Sequence, residues 1–499
     1  MGSAKLTLDP AFEVGPVERR LFGSFVEHMG RCVYTGVFEP GHPEADGDGL
    51  RRDVIELTRE MGVTAVRYPG GNFVSNYDWE DGVGPSADRP TRLDLAWRQI
   101  ETNAFGLGEF MTWLREVDAE PVMAVNLGTR GVRAARDLLE YTNFPGGTRW
   151  SDLRIKHGTR EPYGIKVWCL GNEMDGPWQI GGKTAEEYGR LALETAKAMR
   201  RVDPSIELVA CGSSNPHMPT FGSWEATVLE HCYDQVDYIS THAYYDAVGG
   251  DRASFLASAV QMERQIHDVI STADHVAAKL GSRKRLKLSF DEWNVWSQSL
   301  FGGEQSLDWE QAPRIIEEDY DVAGAAVVGS LLITLLNNAD RVGIACQAQL
   351  ANVIAPIRTE PGGPAWRQTI FHPFALTAAH ARGRVLRVQA TAPNMPTEEF
   401  GEVPVLAAAA TLDDERRLSV FAVNRGDEPL PLEIDLRGLP RGTDISHITV
   451  ADADTAARNT EREPRRVEPR ALDGAVIDGD RLKAVLPPIS FNVLKAQLG

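Results

Sequence analysis

The sequence is short of cysteine, of basic charge and of long apolar runs, and each shortage excludes a class of protein. Its five cysteines, Cys32, Cys169, Cys211, Cys232 and Cys346, are odd in number and scattered without a Cys-x-x-Cys pair. Neither a disulfide framework nor a zinc site is indicated; Cys169 and Cys211 sit inside apolar runs and read as core. Against 71 Asp and Glu stand 52 Lys and Arg, a formal charge of -19. That balance excludes nucleic acid as a partner, because phosphate backbones demand clustered cations. The basic cluster Arg462, Arg465, Arg466 and Arg470 is interleaved with Glu461, Glu463 and Glu468 and reads as a solvated loop. No stretch of about 18 apolar residues is present to span a bilayer, and the opening segment has no apolar signal-type core. No membrane partner and a reducing, cytoplasmic location are therefore expected. No internal repeat or low-complexity segment stands out.

What is present is an alternation of short apolar runs with stretches of helical period, from about residue 20 to 375. Eight runs read as strands: Leu21 to Glu27, Ala65 to Gly70, Pro121 to Leu127, Ile165 to Leu170, Glu207 to Gly212, Tyr238 to Ala243, Lys287 to Asp291 and Arg341 to Cys346. Helical patterns lie between them, as at Leu50 to Met61, Leu107 to Glu116, Thr184 to Arg200, Ala253 to Leu280 and Tyr320 to Leu336. This is the pattern of β/α units, and eight of them predict an α/β fold of the (β/α)8 TIM-barrel type, with its active site at the C-terminal strand ends. After about residue 380 the runs become strands separated by Gly, Pro and Asp turns, predicting a C-terminal β-sandwich of jelly-roll type. The expected division is residues 1–18 as N-terminal strand joining the sandwich, 19–378 as catalytic barrel and 379–499 as β-sandwich.

Two glutamates close strand-like runs: Glu173 after Ile165-Lys-Val-Trp-Cys-Leu-Gly-Asn172, and Glu292 after Leu286-Lys-Leu-Ser-Phe-Asp291. By the strand count they follow the fourth and seventh barrel strands, which face each other across a narrow mouth. One protonated and one ionised carboxyl about 5 to 5.5 Å apart are what a retaining glycosidase uses. A lone acidic residue after an apolar run is usually a helix cap or a surface ion pair. Here both carry polar and aromatic neighbours suited to a sugar, Asn172 beside one and Trp293 beside the other. Burial and the charge of Glu292 are expected to keep Glu173 protonated. His28, His242 and Asp291 near the same rim lack zinc-like spacing, so no metal and no cofactor is expected. His242 reads instead as a hydrogen-bond partner of a neighbouring carboxylate.

The chain resembles the α-L-arabinofuranosidases of glycoside hydrolase family 51. The segments that carry the resemblance are Phe25-Val-Glu-His-Met-Gly-Arg31, Arg67-Tyr-Pro-Gly-Gly-Asn-Phe-Val-Ser75, Trp79-Glu-Asp-Gly-Val-Gly-Pro85, Asn143-Phe-Pro-Gly-Gly-Thr148, Trp168-Cys-Leu-Gly-Asn-Glu-Met-Asp-Gly-Pro-Trp178, Phe290-Asp-Glu-Trp-Asn-Val-Trp296 and Ala348-Gln-Leu-Ala-Asn-Val-Ile354. It implies that Glu173 is the acid/base and Glu292 the nucleophile. It also implies that Glu27, Arg67, Asn72, Asn172, Tyr244 and Gln349, with His242, grip an arabinofuranose and orient the nucleophile, and that Trp97 and Trp296 wall the pocket. Bland alternatives are a Glu27–Arg67 ion pair that binds nothing and Tyr244 as rim packing. Asn76, Gly182 and Ser297-Gln298 depart from the family's usual residues, all on loops around the site.

The resemblance implies an exo-acting retaining α-L-arabinofuranosidase acting on arabinoxylan- or arabinan-derived oligosaccharides, and a homo-oligomer, often a hexamer. Two other readings are set beside it. An endo-acting glucanase or xylanase on the same barrel would need a long open groove. A non-catalytic carbohydrate-binding protein would have no use for an acid and a nucleophile at one centre.

Overall fold

In a computed structural model that describes residues 2–440 and 442–499, the eight expected runs form eight parallel strands of a closed barrel. In order round the ring they are Gly23–Phe25, Ala65–Tyr68, Glu120–Ala124, Val167–Leu170, Glu207–Ala210, Tyr238–Tyr245, Lys287–Val295 and Val342–Gln347, the last closing onto the first. Alternate residues point inward, and the lumen is filled by small and β-branched side chains, among them Ala65, Val122, Val167, Cys169, Val209, Ile344 and Cys346. The barrel is thus a packed core, and only its mouth is free to hold a ligand. All five cysteines are buried free thiols.

The helices start where the sequence supplies donors' partners. Thr184 accepts from Glu187 N while the Glu187 carboxylate accepts from Thr184 N at 2.9 Å, a capping box that opens helix Ala185–Val202. The expected helix Ala253 to Leu280 is two: Arg252–Leu256 and Ala259–Leu280. Between them Ser258 Oγ donates to Phe255 O at 2.6 Å, a local bond that competes with helix propagation. Helix Val322–Asn337 is apolar on every side and buried from Val322 to Leu336, because it lies between the barrel and the C-terminal sheet. None of the described helices is long and apolar enough to cross a membrane.

Nine of the C-terminal strands and the N-terminal strand Ala4–Pro16 make one ten-stranded sheet, while Asn394–Thr397 and Gly401–Pro404 pair with each other outside it. Ala4–Pro16 runs antiparallel to Arg384–Thr391 and parallel to Leu430–Leu436, and so joins two sets of strands that would otherwise be separate. The sheet curls over a leucine-rich cluster that includes Leu6, Leu386, Leu432 and Leu494. Its far ends meet, Gly442 backing onto Ile477, which gives a sandwich built from a single hydrogen-bonded sheet. Along Arg417–Asn424, Leu418, Val420 and Ala422 enter that cluster while Phe421 and Val423 face the barrel core.

Candidate active site

Glu173 emerges just past the fourth barrel strand, where the chain turns sharply: Gly171 has φ +94° and Glu173 itself φ +44°. A left-handed conformation costs a residue with a Cβ about 1–2 kcal/mol. Gly176 N donates to Glu173 O at 2.9 Å and closes the turn. The side chain is thereby brought over the barrel mouth.

Glu292 lies inside the seventh strand, which continues to Val295 rather than ending at Asp291 as the sequence suggested. Its pairing carries a bulge. From Ser289 to Glu292 the strand takes three steps while its partner takes two, from Ser240 to His242. In a regular strand Asp291 and Glu292 would point to opposite faces; the extra residue turns both inward. Asp291 accepts from the lumenal Cys169 thiol at 3.4 Å. Glu292 reaches Arg67 of the second strand and Tyr244 of the sixth.

The two glutamates have different partners. Glu292 Oε1 accepts from Arg67 Nη1 at 2.6 Å and Oε2 from the Tyr244 hydroxyl at 2.8 Å. Glu173 Oε2 accepts from the Trp178 indole N–H at 2.8 Å, and its Oε1 lies 2.9 Å from His242 Nδ1. His242 Nε2 meets Asp291 Oδ1 at 3.0 Å, so the imidazole bridges two carboxyl groups. Burial works against a proton on His242, but the charge of Glu292 and hydrogen bonds with Asp291 and Glu173 raise its pKa to about 10. As a cation it donates from both nitrogens. Burial opposes ionisation of Asp291 as well, yet Arg67 and His242 hold it below the usual carboxylate range. Glu173 moves the other way: burial first, then the charge of Glu292, raise it against the pull of its donors.

The pocket over this network has a volume of about 430 Å³ and is lined by Glu27, Asn72, Trp97, Glu173, Tyr244, Glu292, Trp296 and Gln349, among others. Arg67, Asn172 and His242 stand one layer behind, against the carboxylates. Arg67 Nη2 donates to Asn172 Oδ1 at 2.7 Å, and Asn172 Nδ2 to Asn72 Oδ1 at 3.2 Å. Glu27 does not pair with Arg67. It accepts from Phe73 N, the Trp97 indole and Gln349 Nε2, each at 3.0 Å. Burial and then the Glu292 charge push Glu27 up to about 8, despite the Phe73 and Trp97 donors. Tyr244 also packs edge-on against Trp296, with ring centroids 5.2 Å apart. Of the departing positions, Gln298 lines the pocket, and Ser297 is held by Glu318 through its backbone N at 2.6 Å.

Sequence reasoning passed over Trp178, although it stands on the same turn as Glu173. It treated Asp291 only as a tempting metal ligand. Met29, Ser214, Asn215, Phe301 and Ile354 also reach the pocket; Met29 and Ile354 stand in segments that carry the family resemblance, whereas no local pattern marks Ser214, Asn215 or Phe301. Glu173, His242 and Glu292 could each offer one ligand atom to an ion, all within 4.8 Å of one another. Arg67 already occupies Glu292 with positive charge and both His242 nitrogens are engaged, so this set fits a hydrogen-bonded network better than a cation.

A closed (β/α)8 barrel with two buried carboxyl groups facing each other at its mouth, inside an aromatic-walled polar pocket, defines a glycoside hydrolase. Family models described as the α-L-arabinofuranosidase 1 domain and the α-L-arabinofuranosidase C-terminal domain match residues 57–252 and 291–490. An intracellular exo-α-(1→5)-L-arabinofuranosidase of Streptomyces lividans is 60% identical over 99% of this chain and 75% of its own length. An exo-α-(1→6)-L-arabinofuranosidase of Bifidobacterium longum is 51% identical over 98% of this chain and 97% of its own. The solved structure of a family 51 α-L-arabinofuranosidase from Bifidobacterium longum superposes with TM-score 0.96 at 46% identity, covering 99% of this chain and 100% of that one. The chain belongs to the α-L-arabinofuranosidases of glycoside hydrolase family 51.

Proposed function

We propose that the protein removes terminal non-reducing α-L-arabinofuranosyl groups by double displacement, with Glu292 as nucleophile and Glu173 as acid/base. The observation that carries this reading is the spacing of the two carboxyls: an oxygen of Glu173 and one of Glu292 lie within 4.8 Å. Retaining enzymes place these groups about 5 to 5.5 Å apart, whereas inverting ones leave about 6.5–9.5 Å for a water. In the first step Glu292 attacks the anomeric carbon, the bond to the leaving oxygen breaks, and Glu173 gives that oxygen its proton. Glu292 is then an uncharged ester. One of the influences that raised Glu173 is gone, and the ionised Glu173 takes a proton from water as the water attacks the anomeric carbon and frees Glu292. Asn172, behind the pocket wall, ties Arg67 to Asn72 and so holds Asn72 toward the sugar. Glu27, Asn72 and Gln349 face the remaining hydroxyls, and Trp97 and Trp296 supply the walls.

The pocket at the barrel mouth and relatives named exo-acting support exo action, and no observation favours an endo-acting enzyme or a binding protein. Relatives named for the (1→5) linkage lie at 60%, 53% and 51% identity and one named for (1→6) at 51%, so both linkages occur among proteins more than half identical to this chain. We therefore infer arabinan- and arabinoxylan-derived oligosaccharides as the substrate class, without a single linkage. Relatives named intracellular support action on imported oligosaccharides. A homo-oligomer, a hexamer by the family resemblance, is proposed with it and is read by light scattering. The test of the reaction is proton NMR of an aryl α-L-arabinofuranoside as it is hydrolysed. The α-anomer of arabinose is expected to appear first; first appearance of the β-anomer would overturn the double displacement.

A further inference from the structure

Most buried arginines of the described residues have their charge or their donors met by carboxylates or carbonyls. Arg31, Arg51, Arg67, Arg341 and Arg358 pair with carboxylates. Arg154 donates to five backbone carbonyls. Arg425 differs. It is 6% exposed, its Nη1 donates to Pro404 O at 3.1 Å, and among the described residues no carboxylate pairs with it; an Nε without a partner it shares with Arg67, Arg341 and Arg358. Burial alone acts on it, lowering its pKa to about 10, and no carboxylate offsets that effect. A guanidinium carries five donors, and burying its charge uncompensated is costly.

This side chain lines a cavity of about 540 Å³ at the seam between helix Arg252–Leu256 of the barrel and the C-terminal sheet. The walls are apolar, from Leu256, Met395, Val405 and Pro429, and Arg252 stands at the rim. We propose that this seam cavity is a second ligand site, which takes a small organic carboxylate with an apolar body, its two oxygens bound by Nη2 and the second Nη1 hydrogen of Arg425. A planar guanidinium edge matches a planar carboxylate with two parallel hydrogen bonds. Phosphate fits less well, because Asp427 and Glu428 also line the cavity and repel additional negative charge. The bound ligand would join barrel to sheet next to the loop that follows Tyr244.

Calorimetric titration with benzoate, benzamide and inorganic phosphate tests this. Benzoate is expected to bind once per chain, with benzamide and phosphate silent. Arg425→Met, which keeps the length and removes the charge, abolishes the benzoate signal while arabinofuranoside hydrolysis is unchanged, and Arg425→Lys weakens binding about tenfold. A crystal soaked in 4-bromobenzoate places the anomalous signal of bromine in the seam, a readout independent of either variant's folding. Absence of benzoate binding, equal binding by Arg425→Met, phosphate binding as tight as benzoate, or bromine found elsewhere would each overturn the proposal.

Discussion

Glu173 and Glu292 differ little in exposure, 8% against 5%, and much in what touches them. Glu292 faces a guanidinium and a phenol; Glu173 faces an indole, an imidazolium and the charge of Glu292. Glu173 has to hold a proton when substrate binds in order to give it to the leaving oxygen, so kcat/KM should fall as pH rises through its raised pKa. Glu173→Gln should erase that basic limb. It should also slow substrates with poor leaving groups about 10²- to 10⁴-fold, and aryl arabinofuranosides with activated leaving groups far less in the first step; initial rates across a leaving-group series check this. His242→Asn removes a cation that favours the ionised form of Glu173. The basic limb of the pH profile should therefore move to higher pH, and a shift to lower pH would contradict the assigned direction. That both glutamates reach one pocket was legible because each closes a strand-like run. Their partners were less so: the left-handed turn at Glu173 brings Trp178 to it, and the bulge at Asp291 brings His242 to two carboxyls at once. Neither backbone feature has a sequence signature. Cys169 was read as core, and it is buried; its contact with Asp291 depends on that same bulge.

At the scale of elements, the eight barrel strands were readable because each is a short apolar run bounded by polar loops. The seventh strand was cut short because Asp291-Glu292 interrupts its apolar pattern, yet hydrogen bonding continues to Val295. The break at Ala257-Ser258 was invisible for the opposite reason, since no glycine or proline marks it. Helix Val322–Asn337 yields a test of how barrel and sheet are fitted together. A Cβ on Gly329 would lie 2.4 Å from Phe491 Cδ2. Alanine gains about 1 kcal/mol of helix propensity, but overpacking costs about 1–3 kcal/mol, and at this distance the Phe491 ring has to move. Gly329→Ala should lower the thermal midpoint and leave kcat unchanged; calorimetry with a standard activity assay measures both.

For the whole molecule, burial of titratable groups at the barrel mouth ties stability to pH. Glu27 is raised from 4.5 to about 8, and His242 from 6.5 to about 10. In both windows the folded state holds a proton that the unfolded chain has released, so these groups make the unfolding free energy fall as pH rises. The contribution of His242 is fully present below about 6.5 and lost through about 10. Glu27→Gln should flatten the decline between pH 4.5 and 8 in denaturant titrations; an unchanged slope would contradict the buried, neutral Glu27. The two-part architecture was legible from the change of strand and turn pattern after residue 380. A join of the N-terminal strand to the sandwich was expected; that Ala4–Pro16 bridges Arg384–Thr391 and Leu430–Leu436 and so makes the sandwich one sheet was not, because no local pattern names its two partners.

The central claim is that Glu292 forms the covalent bond to the sugar, and azide rescue of Glu292→Ala tests it most directly. With an aryl α-L-arabinofuranoside the variant should lose turnover, and azide should restore it by entering the space vacated by the carboxylate, yielding the β-L-arabinofuranosyl azide. An α-azide product, no rescue by azide in a folded variant, or undiminished turnover without azide would contradict the account.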